Sequence, residues 1–343
     1  MAMISTDIRY GLDPFCDQIT NAGHMVATIG QTLNAGCVRK FEEAWADYCG
    51  APYCLCCASG ESALEIAAHA LELRQVAVQA NTLPATVRGL LAGMVGNEPD
   101  RLRLVDVDAE DGTIKSLGVP QWGSELVPVM LYGRQEWTLK GGEMLIDACQ
   151  AHGMKHPQHI PAQGNVMAIA WSFYPTKNLG GITDGGAVTF SKVYHYNRAV
   201  SYAKSIGYKG RMNELNAAVL LAKLPFLDEW NLARRQIGLR YHEAIRSIKG
   251  VKQPLHPLAT NGHLYPVLVE NRDDVVEAML KAGVQVGWHY PQTVAAAMNL
   301  ATPAGSIMGS VRWCECVLTL PIYPGMPNED VDRVVEALAN AVA

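Results

Sequence analysis

Along the first two thirds of the chain, the pattern of apolar and polar positions switches repeatedly between a helical and a strand period. Apolar residues recur at helical spacing over residues 41–48 until Gly50, and residues 53–57 then form a short apolar run typical of a buried strand. A helix rich in Ala, Leu and Glu is predicted for residues 60–73, directly after Ser59, a residue type that caps helix N-termini. This order of elements predicts an α/β domain.

The same alternation continues downstream. Further strands are predicted at residues 75–79, 102–106, 126–131, 144–146 and 167–173, with a helix at residues 85–94. A long helical stretch covers residues 213–248, and Pro225 should kink or break it because proline removes a helix hydrogen bond. Beyond it, strands are predicted at residues 263–269, 285–289 and 317–320, and helices at residues 272–282 and from residue 329 onward.

This organisation predicts two domains. We expect a large domain over residues 1–235 and a small C-terminal α/β domain over residues 236–343. Residues 1–35 are expected to pack on the small domain or on a partner subunit. The chain contains no internal repeat or low-complexity segment that would indicate another architecture.

Composition and charge narrow the possible functions. The 343 residues are 49% hydrophobic, enough for a large core, and the net charge of −5 includes no block of like charge, so nucleic acid is not an expected partner. No apolar run reaches the length of a membrane span, and the N-terminus lacks the features of a signal peptide. The nine cysteines lie mostly in apolar runs without zinc-site spacing, which favours reduced thiols, no metal site and a cytoplasmic location.

Several common catalytic motifs are missing from the sequence. It has no G-x-G-x-x-G after a strand, no P-loop, no H-E-x-x-H and no G-x-S-x-G. The carboxylate pair Asp106 and Asp108 follows a strand, where charged residues usually face solvent, so we interpret it as structural.

Two predicted strands end in residues suited to cofactor chemistry. The apolar run at residues 167–173 opens into PTKNLGG, which places Lys177 just after a buried strand, and the run MLI opens into Asp147. A desolvated lysine can form a Schiff base, and a carboxylate can keep a pyridinium nitrogen protonated. The helix that follows Ser59 can bind a phosphate at its N-terminus, with the Ser172 hydroxyl as a further donor. This combination favours pyridoxal 5'-phosphate (PLP), with a nicotinamide- or nucleotide-binding α/β protein as the alternative.

Several segments resemble the DegT/DnrJ/EryC1/StrS family of fold-type I PLP enzymes, often called the sugar aminotransferases. The most specific is SFYPTKNLGGITDGGAVTF, close to the family signature SF.PTKNLG..GDGGA..T, in which Lys177 matches the Schiff-base lysine. Other similar segments follow in family order: FEEAWADYCG, ASGESALEIAAHAL, LRLVDVDAEDGTI, IDACQAHG, GYKGRMNELNAAVLLAKLPFLDEWNLAR, HLYPV and LPIYPGM. The resemblance covers most of the chain.

The resemblance implies both a fold and a site. The implied fold has a large domain with a mostly parallel seven-stranded sheet between helices and a small C-terminal α/β domain, assembled as a homodimer with the cofactor site at the subunit interface. Within the site, Lys177 would bond the PLP aldehyde carbon, Asp147 would contact the pyridine nitrogen, and Gln150 would lie beside the ring hydroxyl. The phosphate would be bound by Ser172 and by the turn of Gly60, Glu61 and Ser62.

Three positions depart from the family pattern. Leu83 stands where an aromatic residue usually stacks on the cofactor ring, and Met130 stands where His is common. Lys209 replaces an Asn that reaches the phosphate of the neighbouring subunit's cofactor. Lys209 could bind that phosphate as a point charge, or it could belong to a solvated basic face. Neutral drift and an altered substrate pocket are the two explanations for Leu83 and Met130.

The implied reaction moves an amino group from glutamate or glutamine to a ketone. The ketone is most often a nucleotide-linked keto-sugar in amino-sugar or antibiotic biosynthesis, and a keto-cyclitol or another non-nucleotide ketone is the first alternative. A PLP-binding member with a regulatory or other non-aminotransferase role is the second. Candidate substrate contacts are Tyr174, inside the lysine motif, and His289 and Tyr290, just before a segment that resembles the family less.

Overall fold

A computed structural model describes Thr20 and residues 36–96, 101–114, 125–134, 144–154, 166–301 and 307–343. Seven strands of the large sheet lie within these ranges. They are β1 (Tyr53–Cys57), β2 (Val76–Gln79), β3 (Leu102–Val105), β4 (Glu125–Leu126), β5 (Met144–Asp147), β6 (Val166–Ser172) and β7 (Gly186–Phe190).

The strands pair in two groups that meet at β5. One group has the order β1-β7-β6-β5 and the other β3-β2-β4. Val129, just after β4, forms a parallel bridge with Asp147 in β5, which gives the spatial order β1-β7-β6-β5-β4-β2-β3. Strand β7 is antiparallel to both of its neighbours, and the other pairs are parallel. The prediction of a mostly parallel seven-stranded sheet is confirmed.

Helices cover both faces of this sheet. They are α1 (Cys37–Cys49), α2 (Gly60–Ala70), α3 (Pro84–Gly93), α4 (Val193–Ser205), α5 (Glu214–Lys223) and α6 (Leu227–Ile245). Side chains of β6 alternate between two cores: Trp171 packs with the α1 and α5 side, and Ala170 packs with the α2 and α4 side. The sheet is therefore buried on both faces, which explains why its strands read as continuous apolar runs. None of the described helices is long and apolar enough to cross a membrane.

A second, antiparallel sheet lies in the C-terminal part. Its order is β10-β9-β8, from β8 (Val251–Lys252), β9 (Tyr265–Val269) and β10 (Val317–Leu320). The accompanying helices are α7 (Arg272–Lys281), α8 (Val294–Met298), α9 (Met308–Cys316) and α10 (Asn328–Ala341). The proposed boundary at residues 235/236 falls inside α6, and the two-domain division stays a prediction. The predicted packing of residues 1–35 lies outside the described residues, apart from Thr20.

Two predicted elements differ in the structure. The predicted strand at residues 285–289 is wrong: Gly287 makes only an isolated bridge to Thr319, and Tyr290 turns the chain with a φ of +66°. Of the strand predicted at residues 126–131, only Leu126 is in a regular strand; irregular pairing with the neighbouring strands continues as far as Met130, before the 3-10 turn at Leu131–Gly133. By contrast, the break at Pro225 is confirmed, with a 3-10 turn at Leu224–Phe226 separating α5 from α6.

Candidate active site

Asp147 ends β5 with its carboxylate buried. The side chain is 3% exposed; Oδ2 accepts a hydrogen bond from Thr86 Oγ1 at 2.8 Å, and Oδ1 accepts one from the Cys149 backbone N–H at 3.1 Å. The Asp147 backbone donates to Pro128 O and accepts from the Met130 N–H. These contacts hold the carboxylate in one orientation at the carboxyl end of a central strand, which is where ligands bind in open α/β sheets.

Lys177 lies in the loop that joins β6 to the antiparallel β7. The base of this loop is closed by hydrogen bonds from the Phe173 N–H to Gly185 O (2.7 Å) and from the Gly181 N–H to Phe173 O (2.9 Å). Burial lowers the pKa of the Lys177 ammonium from its ordinary value, and the Asp147 carboxylate partly opposes this. The neutral amine, which is the nucleophilic form, is therefore easier to reach at Lys177 than at a solvated lysine.

The N-terminus of α2 packs directly against these strand ends. Ser59 caps the helix, with its Oγ accepting from the Ser62 N–H at 3.1 Å. A Cβ at Gly60 would lie 2.7 Å from Ser172 Cβ and 2.9 Å from Cys149 Sγ, so only glycine permits this approach. The structure thus brings Gly60, Ser62 and Ser172 together where helix N–H groups can bind an anion.

Glu61 lies in the same turn, but its side chain is engaged elsewhere. Its carboxylate pairs with Arg88 across 2.7 Å (Oε2 to Nη2) and 3.1 Å (Oε1 to Nε). Glu61 can therefore contribute to an anion site at this turn through its backbone N–H, but not through its side chain.

Gln150 and Tyr290 meet beside Asp147. Gln150 Oε1 accepts from the Tyr132 N–H at 2.6 Å, and Gln150 Nε2 donates to the Tyr290 hydroxyl. Tyr290 has a positive φ, which is uncommon for a bulky side chain and is maintained only where surrounding contacts hold it. His289 Nδ1 lies 2.8 Å from Thr319 Oγ1, and burial together with the charge of Lys177 lowers the pKa of His289 to about 4. His289 and Tyr290 are thus placed on the side of the site that faces the C-terminal sheet.

The remaining candidates lie at the edge of the site or outside it. Leu83 is the N-cap residue of α3 and is 37% exposed, and Tyr174 is 49% exposed. Met130 is 1% exposed within the core, which fits the conservative explanation for its difference from the family. Lys209 Nζ lies 3.1 Å from Glu65 Oε2 of its own chain, so a phosphate ligand role would have to compete with that ion pair.

A buried amide network, which the sequence did not predict, ties the lysine loop to its surroundings. It consists of Asn178, Asn231, Asn261 and His263. Asn178 Nδ2 donates to Asn231 Oδ1 (2.7 Å) and to Asn261 O (3.2 Å), and its Oδ1 lies 3.0 Å from His263 Nδ1. Because Asn178 follows Lys177, the network restrains the lysine backbone.

A cavity of about 320 Å³ opens beside Lys177. It lies between the lysine loop, the helices α5 and α6, and the chain around and after β10. Side chains that line it include Gln150, Lys177, Lys223, Arg234, His289 and Tyr290. Space for a small molecule therefore exists next to Lys177.

The chain is similar to known proteins over nearly its whole length. The sequence profile of the DegT/DnrJ/EryC1/StrS aminotransferase family matches residues 17–134 and 135–339. The chain belongs to this family. This DegT/DnrJ/EryC1/StrS aminotransferase is 31% identical to the erythromycin biosynthesis sensory transduction protein EryC1 of Saccharopolyspora erythraea, over 97% of this chain and 95% of the relative.

One further relative is named as a transaminase, and one solved structure is similar to the chain over almost its whole length. The dTDP-3-amino-3,4,6-trideoxy-alpha-D-glucose transaminase of Streptomyces venezuelae is 29% identical, over 91% of this chain and 90% of the relative. The crystal structure of S. venezuelae DesV in complex with a ketimine intermediate superimposes with a TM-score of 0.87 at 26% identity, covering 99% of this chain and 98% of DesV. The fold and the aminotransferase assignment of the DegT/DnrJ/EryC1/StrS chain are thereby confirmed.

Proposed function

We propose that this aminotransferase works with PLP bound between Asp147, Lys177 and the N-terminus of α2. The observation that carries the proposal is the convergence of a buried carboxylate, a desolvated lysine and a capped helix N-terminus at adjoining strand ends. The donor set fits the group: the carboxylate suits a protonated ring nitrogen, and the Gly60 turn leaves room for a phosphate where a Cβ would collide. When bound, PLP supplies an electron sink for the bond-breaking step.

Each residue has a distinct task in this proposal. Asp147, oriented by Thr86 and the Cys149 N–H, would hold a proton on the ring nitrogen. Ser172 and the N–H groups at the start of α2 would bind the phosphate. Leu83 would contact the ring face through apolar packing instead of aromatic stacking, and Gln150 would lie at the ring hydroxyl.

Lys177 would act as the proton carrier of the reaction. Its lowered pKa makes a neutral amine available, which would accept a proton from the substrate carbon and return it to a neighbouring carbon atom on the same face. The closed base of its loop and the amide network behind Asn178 would keep the amine on one side of the substrate. Proton transfer on one face is what a transaminase with a defined stereochemical outcome requires.

We further propose that the amino group passes from glutamate or glutamine to a nucleotide-linked keto-sugar. Support comes from relatives whose names specify dTDP-amino-sugars, including the Streptomyces venezuelae protein and one from Aneurinibacillus thermoaerophilus. The alternatives are a keto-cyclitol or another non-nucleotide ketone, and a regulatory role. The regulatory alternative draws support from the names of EryC1 and of a pleiotropic regulatory protein of Geobacillus stearothermophilus. The placement of Lys177 favours catalysis.

The proposed assembly is a cytoplasmic homodimer with the site at the interface. Exposure of the apolar Leu83 and of Tyr174 beside the site supports a partner surface there. The described cysteines are free thiols, which suits a reducing compartment.

The test is a reconstitution of the purified protein with PLP. We expect a visible absorbance band, borohydride trapping of PLP on Lys177, and loss of both in Lys177→Ala but not in the control Lys204→Ala, whose lysine is exposed on α4. Adding glutamate or glutamine should bleach the band, and keto-sugar nucleotides and keto-cyclitols would then be compared as amino acceptors. A protein that binds no PLP would refute the cofactor proposal, and a PLP-loaded protein that no amine bleaches would support the regulatory alternative.

A further inference from the structure

The cavity beside Lys177 has an uneven charge. Three of the described residues that line it have basic side chains, Lys177, Lys223 and Arg234, and none of the described lining residues is Asp or Glu. His263 and His289 also line the cavity, but burial lowers the pKa of each, so both are neutral near pH 7. The cavity therefore presents positive charge without a carboxylate of its own.

Arg234 is the least satisfied of these groups. Its Nε and Nη1 are enclosed, and neither makes a hydrogen bond to any described part of the protein. The enclosure arises from the chain packed over α6: Gly262 has a φ of +68°, and a Cβ there would lie 2.6 Å from Arg234 Cβ. A half-buried guanidinium with unpaired N–H groups is costly to maintain, and an anion that contacted the part of Arg234 that lines the cavity would lower that cost.

Lys223 adds a second cation to the same wall. It is 4% exposed, its Nζ donates to Gly180 O at the end of the lysine loop, and the ammonium lies 5.8 Å from the centre of the Trp230 ring. Burial lowers the pKa of Lys223 to about 8 and that of Arg234 to about 9, with no acidic neighbour contributing to either shift. Both groups are thus held in the protein without a counter-charge near enough to affect their ionisation.

We propose that Arg234, assisted by Lys223, binds a carboxylate of the amino donor in this cavity. A guanidinium presents a planar pair of N–H groups that matches a carboxylate in geometry and charge. The cavity volume of about 320 Å³ suits an amino acid better than a sugar nucleotide, since it lies at the small end of ligand pockets. Because Lys177 lines the same cavity, a donor anchored by its carboxylate would place its amino group toward the lysine. This inference rests on the proposed function for the identity of the donor.

The binding test uses glutarate, a dicarboxylate without an amino group, on the protein without PLP. Calorimetry should detect glutarate binding that weakens about tenfold or more in Arg234→Met, as expected from loss of a charge-assisted pair. Arg234→Lys should retain part of the affinity, and Arg235→Met, at the neighbouring position on α6, should retain all of it. The uncharged analogue glutaramide should not bind measurably.

The stability of the variant separates a ligand site from a structural role. Removing an unpaired buried charge should leave the Tm of the ligand-free protein unchanged or higher in Arg234→Met. A large fall in Tm, or a variant that does not fold, would show that Arg234 is paired structurally and would overturn the proposal. Lys223→Met is the second variant: it should also weaken glutarate binding, and unchanged binding in a folded Lys223→Met protein would contradict the assisting role of Lys223.

Two further measurements are the binding of dTDP and the apparent affinity for glutamate with PLP bound. If dTDP binds in an Arg234-dependent manner and glutarate does not, the cavity takes phosphate and the carboxylate proposal is wrong. With PLP bound, Arg234→Met should weaken the apparent affinity for glutamate about tenfold while leaving the affinity for the keto acceptor unchanged. Arg234-dependent glutarate binding in a protein that never transaminates would preserve the anion site and refute only the proposed function.

Discussion

Replacing Asn261 with alanine should destabilise the protein more than any ordinary surface change. Asn261 is fully buried; its Nδ2 donates to Gln150 O at 2.8 Å and to His152 O at 3.0 Å, and its Oδ1 accepts from the His263 N–H at 2.9 Å. His152 O keeps a second donor, Asn231 Nδ2, at 2.9 Å. The substitution therefore removes the Asn261 partner from two backbone groups without replacement, Gln150 O and the His263 N–H.

The size of the effect follows from those two groups. A buried backbone group that loses its hydrogen-bond partner costs about 1–3 kcal/mol, so the pair predicts a loss of roughly 2–6 kcal/mol. A water molecule entering the space left by the amide would reduce the loss, and we expect about 3 kcal/mol for that reason. The backbone of Gln150 should also become less restrained, which would weaken PLP binding.

Urea unfolding of the PLP-free protein, followed by circular dichroism, measures this directly. The matched control is Asn197→Ala on the exposed face of α4, which should change the unfolding free energy by no more than about 0.5 kcal/mol. PLP affinity of both variants would be measured by fluorescence quenching. If Asn261→Ala remained within about 1 kcal/mol of the wild type, the amide network would not stabilise the fold around the site.

Three further predictions test the surroundings of the site. Burial raises the pKa of Glu42 from its ordinary 4.5 to about 7, so between pH 4.5 and 7 the native state binds a proton that the unfolded state has lost. The unfolding free energy should therefore fall by on the order of 3 kcal/mol as the pH rises through that range. Urea unfolding at a series of pH values measures this fall, and Glu42→Gln should abolish most of it. Thr86→Val removes a donor to Asp147 and should weaken PLP binding about tenfold in a fluorescence titration, while Thr86→Ser should not. Tyr290→Phe frees Gln150 Nε2 and should slow the glutamate half-reaction roughly tenfold in stopped-flow absorbance; an unchanged rate would contradict a positioning role.

The features that the sequence predicted well depend on local physical signals. The bounds of β1 match the predicted strand at residues 53–57, because an apolar run ends at a helix cap. Pro225 interrupts the helical stretch as proline must. The strand before Lys177 is predictable in the same way, since its apolar residues face two buried layers and its end is marked by Pro175.

What could not be predicted depends on contacts between distant segments. Arg234 and Arg235 are adjacent and chemically identical in the sequence, and the sequence does not reveal that Gly262 packs against the first of them. Lys209 has basic neighbours in sequence, yet its side chain pairs with Glu65 of α2, far upstream. The strand predicted at residues 285–289 is wrong for the same reason. Its apolar alternation is typical of a strand, but Gly287 makes only a single bridge to Thr319, and the Tyr290 hydroxyl accepts a hydrogen bond from Gln150.

The position of β7 has a consequence for the order in which the chain folds during synthesis. Strand β1 pairs with β7 along its full length, from Tyr53 opposite Phe190 to Cys57 opposite Gly186, although β7 is made much later. Until β7 leaves the ribosome, β1 has no neighbour among the described strands of the large sheet, although the helix α2 that follows it can already pack on β6. Since non-local strand pairing forms slowly, nascent chains that stop before Gly186 should expose an apolar strand edge and recruit chaperones.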